Sequence, residues 1–265
     1  MNYIFYDLET NGIDVLNNAI MQMTIIDKEG QILLNEYVYP HDGIIDATHV
    51  HGIDEKKLRE NDALQLNELV VLIKKVLKEK YNREDIIWVA YNNFGFDQMV
   101  LEMSFKKINA RSPENWYFMD IYPLIKERFS NIRPNYKLSS VYKFLINNKE
   151  GINYHSSLDD CMCLFELFEF CLIFEDDFKK YMRSKMNSYQ IMEDKLTSLA
   201  GYNKYMEFER FNILKIGDLY EKFKKVQFNT DDFFKVLKEE LNMKSNFYAY
   251  QIIKQIQCIY QLHKK

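Results

Sequence analysis

Asn2-Tyr3-Ile4-Phe5-Tyr6-Asp7-Leu8-Glu9-Thr10-Asn11-Gly12 decides the fold. Aromatic and β-branched residues dominate its first half, which is strand chemistry. The run ends in two carboxylates at i and i+2, and side chains two apart on a strand share a face. Two like charges side by side on a buried strand repel, so an apolar sheet gains nothing from them. A hard divalent cation such as Mg²⁺ or Mn²⁺ reverses that balance, because carboxylate oxygens suit it. The alternative is a strand that runs out into a polar loop with both acids solvated.

Working outward, Ala19 to Asp27 and Gln31 to Tyr39 are two further β-rich runs around the compact turn Lys28-Glu29-Gly30. The three strands read as an antiparallel meander, ended by Pro40-His41-Asp42-Gly43. His49 to Asp54 reads as a loop into helical structure. From Asp62 to Tyr81 the apolar residues Leu66, Leu69, Val70, Ile73, Val76 and Leu77 recur with a helical period. Asp85 to Tyr91 is a short buried strand, and a helix followed by an apolar strand indicates an α/β chain.

Three more stretches carry chemistry. Asn92-Asn93-Phe94-Gly95-Phe96-Asp97 follows a strand, and Asp97 opens a helix through Val100, Leu101, Phe105 and Ile108. Asp97 is either an acid favoured by the helix dipole or a third carboxylate at the carboxyl end of a strand, where α/β sheets place ligands. Trp116 to Asp120 reads as a strand, Tyr122 to Phe129 as a helix and Lys137 to Leu145 as another. His155-Ser156-Ser157-Leu158-Asp159-Asp160 then leads into one long amphipathic helix from Asp159 towards Lys180. Alone, this last cluster is a helix cap beside a surface histidine. With three other acids at strand and helix ends it becomes part of a constellation.

Composition limits the alternatives. The chain has 265 residues, 47 % of them hydrophobic, enough for one large domain and an appendage. No apolar run reaches the roughly 18 residues of a membrane span. Processing of an N-terminal signal would remove Asp7 and Glu9 with it. Cys161, Cys163, Cys171 and Cys258 lack Cys-x-x-Cys spacing, and read as reduced thiols of a cytoplasmic or nucleoid-type compartment rather than a zinc site. Residues 1–179 carry a net charge of −10 and residues 180–265 a net of +6. An acidic first part suits a multi-carboxylate metal site, and a basic second part suits a polyanion-binding appendage.

Together these residues resemble the DEDDh branch of 3′→5′ exonucleases, which has a ribonuclease H-like fold. Asp7-Leu8-Glu9-Thr10 is similar to the first motif, His51-Gly52-Ile53 to the segment after the third strand, Tyr91 through Asp97 to the second motif, and His155 through Asp160 to the third. Tyr91-Asn92-Asn93 and Gly151-Ile152 look closest to the exonuclease I type. The resemblance covers about residues 1–180. It implies a mixed five-stranded α/β sheet flanked by helices over 1–182 and leaves 183–265 as a small all-helical domain. That region holds helical patterns after Ile213, from Thr230 to Leu241 and from Asn246 to Leu262. It would bind nucleic acid through Lys222, Lys224, Lys225, Lys235 and Lys238, or dock a protein.

The resemblance further implies two divalent ions, Mg²⁺ or Mn²⁺, held by Asp7, Glu9, Asp97 and Asp160. Asp7 would be shared between them, with His155 as general base. Spacing favours Asp160 as the fourth ligand and leaves Asp159 as a helix-start residue. Substrate contacts fall to backbone amides from Leu8 to Asn11, the Thr10 hydroxyl, Asn92, Phe96 and His51. Asn11 stands where relatives often carry a second Thr, and His51 serves either the scissile region or its own loop. Apolar side chains from Ile13 to Met21 would wedge between terminal bases. The expected activity is hydrolysis of single-stranded DNA or RNA from the 3′ end to nucleoside 5′-monophosphates. The competing expectation is an inactive fold kept for binding or scaffolding.

Overall fold

The first strand lies at the centre of the sheet because both of its edges are paired. In the computed structural model, β1 (Asn2–Thr10) runs antiparallel to β2 (Ile20–Asp27) and parallel to β4 (Ile86–Ala90). The structure describes residues 1–183 apart from 16, 130–131, 133–134 and 148–151. β3 (Ile32–Tyr37) extends the sheet beyond β2, and β5 (Trp116–Asp120) extends it beyond β4. A two-residue strand, β6 (Met182–Arg183), adds to the edge at β5, giving the order β3-β2-β1-β4-β5-β6. The five principal strands are those expected from the sequence.

Asp27 pins the β2–β3 turn. Its buried carboxylate accepts the N–H groups of Glu29 and Gln31 at 2.9 and 2.8 Å and pairs with Lys80. Those bonds hold its proton affinity below the ordinary carboxylate range despite burial.

Between β3 and β4 lie α1 (Thr48–His51), α2 (Glu55–Glu60) and α3 (Leu66–Tyr81). The helix expected from Asp62 starts at Leu66, because Leu64 is tied to the end of β3. Its N–H donates to Tyr37 O at 2.8 Å and its carbonyl accepts from Tyr39 N at 2.9 Å. Glu68 then reaches back to Gln65 N at 2.7 Å and closes a capping box. After β4 come α4 (Asp97–Lys107), then α5 (Ile121–Arg128), α6 (Leu138–Tyr142), α7 (Ser157–Phe170) and α8 (Glu175–Tyr181). Among the described residues, no helix is long and apolar enough to cross a membrane.

Strand alternation sorts the core into two layers. On one face Tyr3 and Phe5 meet Phe165 and Phe168 of α7 at ring separations of 5.0–5.5 Å. On the other, Tyr6 packs edge-on to Trp88 at 5.0 Å, and Trp88 meets Trp116 at 4.4 Å. Trp88 and Trp116 are almost wholly buried, so truncating either to Ala would cost about 3–5 kcal/mol. Asp7 and Glu9 therefore continue the face that Phe5 turns towards α7.

The single helix expected from Asp159 to Lys180 is two. Leu172 adopts a left-handed conformation (φ 48°), and Arg128 explains the break. Its guanidinium donates to Cys171 O at 2.6 Å, taking a carbonyl at the end of α7, and pairs with Asp177 of α8 at 2.7 Å. Asp177 in turn accepts Phe174 N at 2.8 Å, so α8 starts with its own cap. Cys161, Cys163 and Cys171 are buried in this layer. Residues 184–265, where the helical accessory domain and Cys258 are expected, lie outside the described residues.

Candidate active site

β1 outruns its parallel neighbour. Pairing with β4 stops at Phe5↔Val89, while β1 continues to Thr10 beside β2. The two strands part at the carboxyl end of the sheet, the usual place for a ligand in this architecture. Asp7 and Glu9 stand on the free part of β1.

Asp160 reaches them from the first turns of α7. A carboxylate oxygen from each of Asp7, Glu9 and Asp160 lies within 4.8 Å of the others. The start of α7 is fixed against β2 by buried contacts: Thr24 Oγ1 and Ser157 Oγ are 2.7 Å apart, and Ser157 N donates to Gln22 Oε1 at 3.4 Å. The structure thus separates the two adjacent acids. Asp160 joins the cluster, and Asp159 accepts Asn153 N at 3.1 Å instead.

Asp97 is the first residue of α4 and is only 4 % exposed. Its carboxylate lies close to the backbone of Leu8, between the two β1 acids. The residues before it form a tight turn. Asn92 is left-handed (φ 59°), and its side chain folds over Gly95 so closely that a Cβ there would lie 2.4 Å from Oδ1. Phe96 N closes the turn on Asn92 O at 3.0 Å.

Two residues missed by sequence reasoning hold this turn. Asn93, wholly buried, donates through Nδ2 to Trp88 O at 3.1 Å and Met119 O at 2.9 Å, and accepts the Tyr6 hydroxyl through Oδ1. One side chain thereby links β1, β4 and β5. Asp120, at the end of β5, accepts Phe94 N at 3.1 Å and Tyr122 N at 2.9 Å. An Asp at a strand end before a helix is a cap signal visible in sequence. Asn93 has no such signal, because its partners are distant.

The electrostatics are those of a crowded set of acids. Burial, then Asp160, Asp97 and Glu9, push the Asp7 carboxyl well above the ordinary range. Burial and Asp160 push Glu9 up to about 8, against a smaller opposing pull from Lys57. Asp160 is raised to about 6, chiefly by burial, although the His155 N–H bond opposes the shift. Asp97 is raised well above its usual value by burial, with Asp120 and Glu9 adding to it. A divalent cation would replace this repulsion with attraction. The donor set, all hard carboxylate oxygen, fits Mg²⁺ or Mn²⁺.

His155 is exposed on the loop before α7 and left-handed (φ 68°), a conformation costing about 1 kcal/mol or more for a residue with a side chain. Its N–H donates to Asp160 Oδ2 at 3.1 Å. His51 is buried, and its Nδ1 accepts Ile53 N at 3.0 Å. The backbone at Thr10 and Asp46 is close, yet among the described residues no hydrogen bond of normal geometry reaches Nε2. Burial lowers the proton affinity of His51, and His155 and Lys57 act on it in the same direction.

The remaining expected contact residues divide. Thr10 Oγ1 donates to Gly12 O at 2.6 Å, shaping the turn after β1. Asn11 is committed inside the protein: its N–H donates to Ala19 O at 3.1 Å, Nδ2 donates to Asp42 and Ile44 O, and Oδ1 accepts Ala19 N at 2.7 Å. It braces two loops, and those groups are already in use. Leu8 and Phe96 border the acids, Leu8 buried and Phe96 half-buried. Ile13, Ile44 and Val50 are exposed apolar side chains, Ile13 to 78 %.

Three converging carboxylates at the end of a central strand, with buried Asp97 acting on Asp7, suit an α/β domain of nuclease type. A family model described as Exonuclease (RNase_T) matches residues 4–168, and the chain belongs to that exonuclease family, with the residues of its DEDDh type. Among solved structures, the chain is similar to the zinc-bound form of E. coli ExoI in complex with ssDNA, at 18 % identity and TM-score 0.54, covering 64 % of this chain and 40 % of that one. It is also similar to exonuclease I in a structure that suggests how processivity is achieved, at 17 % identity and TM-score 0.54 over 77 % and 45 % of the two chains. E. coli exonuclease I in complex with a dA16 oligonucleotide gives 16 % identity, TM-score 0.54 and the same coverage. These likenesses define the shared fold, and the chain spans less than half the length of those proteins. Among curated proteins, none matches the sequence.

Proposed function

We propose that this protein is a metal-dependent exonuclease that removes nucleotides from the 3′ end of single-stranded DNA or RNA. The observation that carries the reading is the convergence of Asp7, Glu9 and Asp160 within 4.8 Å, with buried Asp97 near enough to act on Asp7. Acids whose proton affinity is raised by one another are poorly placed for stability and well placed for cations.

Asp7, Glu9 and Asp160 would hold one divalent ion, and Asp97 with a share of Asp7 would hold a second. Bound there, such ions would supply charge for the scissile phosphate and the leaving 3′-oxygen and would make water a better nucleophile at neutral pH. His155 takes a proton from the attacking water as its oxygen bonds to phosphorus. A ring nitrogen of an imidazole can accept that proton and hand it on to solvent. The bond from phosphorus to the 3′-oxygen breaks, that oxygen takes a proton from solvent, and a nucleoside 5′-monophosphate and a strand one nucleotide shorter are left.

Binding relies on stacking and backbone contacts rather than base reading. Ile13, Ile44 and Val50 supply apolar contact for the terminal bases, and Asn92 helps to hold the last sugar and phosphate. The unpartnered, buried Nε2 of His51 supports a role for it as donor to the bound strand end. The basic region beyond residue 183 adds phosphate contacts.

A time course on 5′-labelled single-stranded DNA and RNA of one sequence, with Mg²⁺, Mn²⁺ or chelator, tests the reading. A metal-dependent ladder shortening from the 3′ end supports it and names the preferred sugar. Intact substrate bound by the protein in all three conditions would make it a binding module instead.

A further inference from the structure

Two hydrogen bonds join the His155 loop to the start of α7. Asn153 N donates to Asp159 Oδ2 at 3.1 Å, and His155 N donates to Asp160 Oδ2 at 3.1 Å. The intervening side chains, Ile152 and Tyr154, pack on the apolar layer beneath α7. The loop is thus fastened on alternate residues, by apolar side chains and by backbone amides. His155 sits in a backbone conformation that side-chain-bearing residues rarely adopt, so its surroundings must hold it there.

The two rungs differ in their other duties. Asp160 belongs to the three-carboxylate cluster, and Asp159 does not. An acid at the third position of a helix ordinarily interacts with its own first turn. Asp159 instead reaches three residues ahead of Ser156, the residue at the helix boundary. Its carboxylate fixes the approach of the chain to His155 without standing among the groups placed on the metal.

We propose that Asp159 is a positioning residue for His155: by accepting the Asn153 amide, it presets the loop so that the imidazole is presented to the site. The inference deepens the exonuclease reading and rests on His155 acting as the base. A preset base avoids the ordering that a free loop would undergo at each turnover, and loss of about an ångström of placement is enough to slow chemistry strongly.

The test compares full-length wild type, Asp159→Ala and Asp159→Asn on single-stranded DNA across a Mn²⁺ titration. Amide hydrogen exchange over residues 153–155 is followed in parallel. Asn retains an acceptor oxygen, so it should keep the rung. The expected result for Asp159→Ala is a kcat about 10-fold or more below wild type, with KM and the Mn²⁺ midpoint within about twofold. Exchange at 153–155 accelerates in that variant. Asp159→Asn returns both kcat and exchange to within about threefold of wild type.

Unchanged exchange in Asp159→Ala overturns the latch, as does faster exchange with undiminished kcat. A raised Mn²⁺ midpoint in both variants overturns it differently, by making Asp159 a metal ligand. Wild-type protein with no hydrolysis removes the base and its positioning residue together. Exchange does not depend on turnover, so failure of the latch and failure of the exonuclease reading are told apart.

Discussion

Replacing Glu9 with Gln should stabilise the metal-free protein while weakening its hold on metal. In the folded protein Glu9 keeps its proton up to a pH of about 8, whereas the unfolded chain releases it near the ordinary carboxylate value. Between those values the folded state binds more protons than the unfolded state, so stability falls as pH rises. At about 1.4 kcal/mol per pH unit, full ionisation of Glu9 costs on the order of 5 kcal/mol. Burial supplies the largest share of that cost and repulsion from Asp160 the next, so Glu9→Gln should recover about 2–5 kcal/mol above pH 8 and close to nothing near pH 4.5. For a domain of this size that corresponds to roughly 5–15 °C in Tm. Thermal melts in chelator at pH 4.5, 6.5 and 8.5 read the effect. The wild type should lose Tm across the series, and the variant should lose less. Mn²⁺ should restore the wild type more than the variant. A Gln variant that melts with or below wild type at pH 8.5 would refute the picture of four mutually repelling acids.

Other consequences follow from the same geometry. His155→Ala should lower kcat by about 10²-fold or more while the Mn²⁺-induced rise in Tm stays as in wild type, measured by turnover and melting on the same samples. Tyr6→Phe strips the hydroxyl from fully buried Asn93 and should cost about 1–3 kcal/mol in denaturant unfolding, with activity falling further than a stability loss alone explains, because the same asparagine holds the turn before Asp97. Replacing Lys222, Lys224 and Lys225 together with Gln should reduce the slope of log affinity against log salt by up to about 2 for a single strand, and an unchanged slope would exclude those lysines from the phosphate path.

Sequence patterns made much of this legible because the informative residues lie at element ends. The β1 acids are two apart on an apolar strand, Asp97 opens a helix behind a buried strand, and the spacing from His155 to Asp160 is short. Periodicity is a local property and reported these faithfully. The break between α7 and α8 was hidden because it depends on Arg128, which arrives from α5 to take Cys171 O and Asp177. Only the acidic run Glu175-Asp176-Asp177 hinted at a second helix start. Asn93 was hidden for the same reason, its three partners lying on three strands. Asn11 invited a substrate contact by its position in the motif, while the structure spends its N–H and both side-chain groups on Ala19, Asp42 and Ile44. Asp159 and Asp160 are chemically identical in sequence. Only the fold divides them, sending one to the carboxylate cluster and the other to Asn153.

The most direct measurement is the identity of the released product. An unlabelled single-stranded oligonucleotide with different bases at its two ends is incubated with full-length wild type or Asp7→Asn in Mn²⁺, and the small products are separated by chromatography. The account predicts nucleoside 5′-monophosphates appearing in order from the 3′ terminus with wild type, and none with Asp7→Asn. Release of 3′-monophosphates, internal fragments, or equal products from both proteins would contradict it.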